Sequence, residues 1–259
     1  MDQRAHVYSP LQNIAIWLAS WLHGHIATDE CVDALRALGG DIRIAGVQPD
    51  APGNTLELLR TIRRLAAESL DAGEPVIQLV LCGPGEAPGL RAGSPSARAT
   101  LASGMGALVL PTPDRFRSHV VVPVDRGGGL ACEIFAEAEP LPAQHYLSPG
   151  EADLLLADAT RSAAQLIDAI PHVTPDLPNP RLTVGTLTDF YDTPGLPFST
   201  PPRAAKLFAR ADRVAAIIET VSSHVGDHSL DPVLLPLMRN VRMARTAGVS
   251  YAVHELARC

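Results

Sequence analysis

Between Pro75 and Gly83 the chain reads Val76-Ile77-Gln78-Leu79-Val80-Leu81-Cys82, a nearly continuous apolar run rich in branched side chains. A strand covered on both faces has this composition, so residues 76–81 predict an interior ribbon of a twisted sheet. Upstream, Ile42, Ile44 and Val47 read as a short strand. Asn54 with Glu57 three residues on reads as a capping box that opens a helix through Leu58, Leu59, Ile62 and Leu65, closed by Asp71-Ala72-Gly73. Strand, helix and strand in this order predict a right-handed parallel crossover. Downstream, the apolar runs Ala107 to Leu110, His119 to Val124 and Leu130 to Ala136 are joined by Pro111 to Arg117 and Asp125 to Gly129. Those connectors are too short for a helical crossover, so the three runs predict an antiparallel meander.

The helices surround this sheet in sequence. Leu11, Ile14, Ala15, Leu18, Trp21 and Leu22 recur at helical spacing and predict an opening amphipathic helix that stops at Gly24. A second helix is expected from a cap at Thr28 or Asp29 to Gly39-Gly40. Ser148-Pro149-Gly150-Glu151 is a capping box with proline at the first helical position, and it introduces a helix through Leu155, Ala159, Ala163, Leu166 and Ile170. From Pro171 to Pro202 recurrent prolines predict a surface crossing with little regular structure. Beyond it, residues 204–221 read as helix, and Asp231-Pro232 starts another that Pro236 and Gly248 are expected to kink or divide.

The expected fold class is therefore α/β. A mixed sheet, one parallel βαβ crossover plus an antiparallel meander, is flanked by helices, with a helical C-terminal third. The expected organisation is a mixed α/β domain over 1–170, a proline-rich crossing over 171–202, and a helical region over 203–259 that packs on the domain or on a partner.

At 259 residues the chain can bury a large core without cross-links. Cys31, Cys82, Cys132 and Cys259 form no CxxC pair, so neither a zinc ribbon nor a redox motif is present, and Cys82 and Cys132 read as small buried hydrophobes. A net charge of −7 argues against general binding to nucleic acid or an anionic membrane, though a local basic patch stays compatible with it. Lys206 is the single lysine among 21 basic residues, an arginine bias that fits a GC-rich bacterial genome. The first residues lack the pattern of an export signal, and no apolar run reaches the roughly 18 residues of a membrane span, so a cytoplasmic protein is expected.

Candidate sites are few. The glycine-rich loop after the 76–81 strand offers Gly83 and Gly85 for close backbone approach, with Arg91, Ser94 and Arg98 as donors to a carboxylate or phosphate. It matches neither phosphate-loop nor dinucleotide fingerprints; the plain reading is a flexible connection. His119 and Glu133, on neighbouring strands, would make an acid/base couple if they faced one pocket, and a cross-strand pair on a solvated face otherwise. His23 and His25, and His224 and His228 with Asp227 nearby, have spacings that metal ligation can use, but the contexts of known sites are missing, and neither metal nor cofactor is expected. Thr188-Asp189-Phe190-Tyr191-Asp192 reads as an anchor for the crossing or a recognition loop; aromatics make up only 4% of the chain.

Trp17 and Trp21, one turn apart, mark an interface or a buried seam. Arg239, Arg242 and Arg245 recur every third residue and form either an anion or acidic-partner strip or a solvated helix face.

Two functions stay open from these residues. One is a non-catalytic binding or regulatory protein that associates with itself or a protein partner through its helices. The other is a small-molecule binder or enzyme taking an anionic ligand at the glycine-rich loop.

Overall fold

A computed structural model describes residues 9–45, 55–84, 86, 89–143, 147–168, 180–191, 193–225 and 230–258. Among these, five strands and eight helices alternate as expected for an α/β chain with a helical C-terminal part. The strands β1 (Arg43–Ile44), β2 (Gln78–Val80), β3 (Ala107–Pro111), β4 (Ser118–Asp125) and β5 (Leu130–Glu137) form one mixed sheet in the order β1-β5-β4-β3-β2. β2 to β5 make an antiparallel meander, and β1 adds the parallel pair by aligning Arg43 with Ala131 and Ile44 with Cys132 of β5.

The position of β2 corrects the reading of 76–81. The run lies at the rim of the sheet, and β1 and β2 occupy opposite edges and run in opposite directions, so the intervening helix α3 (Thr55–Ala72) is not the parallel crossover expected between them; the one parallel pair is β1 with β5. The run is apolar because helices pack over it. α1 (Leu11–Leu22) and the last helix, α8 (Asp231–Leu256), both pack on β2.

α1 is not amphipathic in effect: every residue from Leu11 to Leu22 is buried. It runs between the sheet and the C-terminal helices, as a helix enclosed on all sides does. Its polar side chains find internal partners. Gln12 Nε2 donates to Asn13 Oδ1 at 2.8 Å, and Ser199 Oγ donates to Ser20 Oγ at 2.9 Å. Trp17 and Trp21 belong to this seam, their indole N–H groups donating to the Gly195 carbonyl and Thr28 Oγ1, each at 3.0 Å. Thr28 is thereby engaged as an acceptor, and the cap position of α2 (Thr28–Gly39) is Ala27, one residue earlier than expected.

Alternation divides the sheet into two faces. Leu79, Leu108, Leu110, Val121 and Cys132 pack with α1, α2 and α3, while Val80, Val109, Val120 and Val122 pack under Ala97 of α4 (Pro95–Ser103). α4 was not anticipated. Ser94 caps it by accepting from the Ala97 N–H, ahead of Pro95 at the first position.

The helical part comprises α5 (Pro149–Asp168), α6 (Pro180–Tyr191), α7 (Pro202–Val225) and α8. α6 lies where little regular structure was expected: Pro180 occupies its first position, where a missing N–H costs nothing. Tyr191 anchors it, buried and donating to Glu219 of α7, whereas Phe190 is half exposed and Asp192 lies outside the described residues. α8 continues through Pro236 and Gly248 as one helix and joins both cores. Leu234, Leu237, Met238 and Val241 pack in the bundle, and Val249, Ala252, Val253 and Leu256 pack against the sheet layer. At the crossing with α7, a Cβ on Gly248 would lie 2.4 Å from the buried Phe208 ring, so only glycine permits the approach.

Candidate functional site

The feature of the helical part that its own packing leaves unused lies on α7. Arg203, Lys206, Arg210 and Arg213 follow a 3-4-3 spacing, which keeps side chains on one side of a helix, while Ala204, Phe208, Ala211, Ala215 and Ile218 occupy the buried side. All four cations are exposed and line a groove of about 750 Å³ against the first turn of α5.

The opposite wall is set by the expected capping box. Glu151 N donates to Ser148 Oγ at 3.2 Å and Ser148 N donates to Glu151 Oε2 at 2.9 Å, and these hydrogen bonds hold the Glu151 carboxyl below its ordinary range. Pro149 and the buried Leu207 are apolar members of the groove lining, and Asp153 supplies the one carboxylate among its described lining residues, paired with Arg210 at 3.0 Å. Four cations against one carboxylate leave a local charge of about +3 on a chain whose total is −7. Arg203, Lys206 and Arg213 have no hydrogen-bond or ion-pair partner among the described residues.

The arginines singled out on α8 have the opposite fate. Arg245 is buried and donates to Asp212 Oδ1 and Gln12 Oε1, both at 2.6 Å. Arg242, also buried, donates to Glu86 Oε2 from Nε at 2.8 Å and from Nη2 at 2.5 Å, and the more exposed Arg239 reaches Glu86 Oε1 at 2.8 Å. Glu86 belongs to the glycine-rich loop. Gly83 of that loop packs closely against the Arg242 guanidinium, which a Cβ would meet at 2.4 Å. Glycine here serves the docking of the loop on α8.

The remaining loop residues disperse. Arg91 pairs with Glu139 at 3.0 Å, Ser94 is a helix cap whose Oγ also lies 2.9 Å from Ser96 Oγ, and Arg98 is exposed on α4; Gly85 lies outside the described residues. Ser96 in turn donates to the buried Glu137 at 2.5 Å, which ties α4 to β5.

His119 and Glu133 cannot act as a couple. His119 is registered with Ala136 and Glu133 with Val122, so an odd step of three residues along β5 puts them on opposite faces of the sheet. Burial and the nearby Arg117 charge lower the His119 pKa, and Glu133 faces Arg126 at 3.9 Å. His23 and His25 have ring centres 6.3 Å apart, with His25 Nε2 at 2.9 Å from the Leu256 carbonyl. The His224 side chain, Asp227 and His228 lie outside the described residues, among which no three metal-ligating groups cluster. The thiols of Cys31 and Cys132 are buried, and desolvation pushes both up to about 12. Among the described residues no helix is long and apolar enough to cross a membrane.

Two models of one protein family match most of the chain: the N-terminal domain of the Rv1486c-like proteins over residues 12–145 and their C-terminal domain over residues 150–246. The chain belongs to the Rv1486c-like family. Similar proteins are Uncharacterized protein MT1533 and Uncharacterized protein Rv1486c of two Mycobacterium tuberculosis strains, each 27% identical over 96% of this chain and 99% of the relative. Uncharacterized protein ML1804 of Mycobacterium leprae is 25% identical over the same shares. No solved structure matches.

The Rv1486c-like division falls just ahead of α5. Apart from Ser148 and Pro149 at its rim, the groove therefore belongs to the C-terminal domain of the family. The α8 arginines instead join the two domains, since Gln12 and Glu86 belong to the N-terminal match and Arg239, Arg242 and Arg245 to the C-terminal one.

Proposed function

We propose that this Rv1486c-like chain is a cytoplasmic binding or regulatory protein without chemistry of its own, and that it works through its helical part by capturing an anionic partner in the α5/α7 groove. One observation carries the reading: Arg203, Lys206 and Arg213 converge on a concave surface without partners among the described residues, on a chain that is acidic overall. Unneutralised like charges at 3-4-3 spacing repel one another along a helix, so the bare row costs stability that an anion returns on binding. The working surface thus moves from Trp17, Trp21 and the α8 arginines, which the fold uses internally, to α7.

A panel of anions followed by thermal unfolding tests the reading, with inorganic phosphate, citrate, a sugar bisphosphate and an oligoglutamate as probes. A ligand at 100 times its dissociation constant adds roughly 2.7 kcal/mol of stability. At least one probe is expected to raise the melting temperature, with a shift that shrinks in added salt and vanishes in the Arg203→Ser/Lys206→Ser/Arg213→Ser variant. No shift with any probe, or the same shift in the variant, would overturn it. Light scattering after size exclusion, with and without the effective anion, shows whether capture also changes self-association.

A further inference from the structure

We infer that the occupant of the α5/α7 groove is a compact organic bisphosphate, with one phosphoryl group between Arg203 and Lys206 and the other between Arg210 and Arg213; this rests on the anion-binding reading above. Spacing is the first ground. Residues three apart on a helix stand about 5–6 Å from each other at Cβ, close enough for two side chains to share one oxyanion. The two pairs are seven residues apart, about 10 Å along the axis. The site therefore offers two anion positions with a gap between them, and Leu207, which follows Lys206 in sequence, and Pro149 are apolar members of the same lining, suited to a carbon skeleton.

Charge is the second ground. Four cations less Asp153 leave about +3 in the groove, and two phosphate monoesters carry together about −3 to −4 near neutral pH. A single phosphate or a dicarboxylate leaves part of the row uncompensated. Arginine's planar fork also suits a phosphoryl group with several acceptor oxygens. Arg210 is already oriented by Asp153 through an exposed contact that a phosphate can exchange. The start of α5 adds little, because its capping box has taken up the Glu151 N–H.

Size is the third ground. From Arg203 to Arg213 the row covers ten helical steps, about 15 Å, and the groove's 750 Å³ falls within the range of small-molecule sites. Extended polyanions would meet the acidic remainder of a chain with net charge −7.

Calorimetric titration of the full chain tests the proposal with fructose 1,6-bisphosphate as the separated bisphosphate. Pyrophosphate and inorganic phosphate serve as compact comparators, hexaglutamate as an acidic peptide, and phosphatidic acid vesicles as a lipid source of phosphomonoester. The bisphosphate is expected to bind at least about tenfold more tightly than either comparator, a difference of about 1.4 kcal/mol. Arg203→Ser/Lys206→Ser and Arg213→Ser are each expected to weaken it about tenfold or more, while the free protein melts no lower than the unsubstituted chain because like-charge repulsion along α7 is relieved. Asp153→Asn is expected to tighten it by removing the one repulsive carboxylate.

Equal affinity for phosphate, pyrophosphate and bisphosphate, or preference for hexaglutamate or vesicles, overturns the bisphosphate class and leaves anion capture standing. Absence of binding to every probe, or binding unchanged in the variants, overturns both.

Discussion

Two basic rows run along neighbouring helices of the bundle, and they are used in opposite ways. On α8, Arg239, Arg242 and Arg245 face the junction of the two family domains, where Glu86, Asp212 and Gln12 meet them. On α7, Arg203, Lys206, Arg210 and Arg213 face a groove that supplies one carboxylate, Asp153. Both rows have spacings that gather side chains on one side of a helix, so periodicity alone says only that each row shares a face. What a row does depends on which carboxylates distant segments bring to it, and those segments are 33 to 233 residues away for Arg245.

The largest expected effect separates the rows by stability. Arg245→Ala leaves Asp212 buried without its guanidinium and is expected to cost about 3–5 kcal/mol, whereas Arg203→Ala should stay within about 0.5 kcal/mol. Urea unfolding of the two variants checks this. Removing Asp212 as well, in Arg245→Met/Asp212→Leu, should recover much of the loss, because a buried pair can be replaced by packed apolar groups more cheaply than it can be broken. If Arg245→Ala and Arg203→Ala behave alike, the contrast between the rows fails.

Next comes the latch between α8 and the glycine-rich loop. Glu86→Ala removes the acceptor of Arg239 and Arg242; charge-assisted hydrogen bonds of this kind are worth about 1.5–3 kcal/mol. Protease cleavage within residues 83–94 should accelerate in this variant more than cleavage in α5. Equal protection of the loop with and without Glu86 would show that Gly83 packing, and not the ion pair, holds it. At the α7/α8 crossing, Gly248→Ala forces a methyl onto the Phe208 ring and is expected to cost about 1–3 kcal/mol by overpacking, read by the same urea titration.

How much of this the residues announced depends on whether the deciding interaction is local. The Ser148–Glu151 capping box was legible because its partners are three residues apart, and so were the hairpins of β3 to β5, whose connectors leave no room for another arrangement. The 76–81 run announced that it is covered and left open what covers it. β2 is an edge strand over which α1 and α8 pack, where the composition suggested an interior one. α4 was hidden because its buried face is only Ser96, Ala97 and Thr100, too weak a stripe to stand out from a Gly- and Pro-rich stretch. The His119/Glu133 pairing failed on register, since a shift of one residue between β4 and β5 exchanges the faces. The α7 row was readable as a spacing of cations around the single lysine; its lack of partners was not, because pairing is a property of the fold.

The smallest expected effects lie in acid, and they also divide the molecule in two. In the sheet layer, burial lowers the pKa of His119, with the Arg117 charge adding to it, and burial also lowers that of His23, helped by His25. The unfolded chain therefore takes up these protons near the ordinary 6.5, while the folded chain resists until lower pH. Stability is highest above 6.5 and declines as pH falls through that interval. At the groove, Glu151 is held below its ordinary 4.5 by the hydrogen bonds from Ser148. Its contribution is present above 4.5 and is lost only as pH falls through its lower folded value.

Both terms weaken the fold in acid, but in separate windows. Denaturant midpoints measured from pH 7.5 down to pH 3 should thus show two declines. His119→Gln should lessen the upper one, and Glu151→Gln should lessen the lower, to which the Asp212 and Glu86 ion pairs also contribute. A lower decline of unchanged size in Glu151→Gln would mean that the carboxylate does not hold the wall of the groove, and that Ser148 and Pro149 define the start of α5 without it.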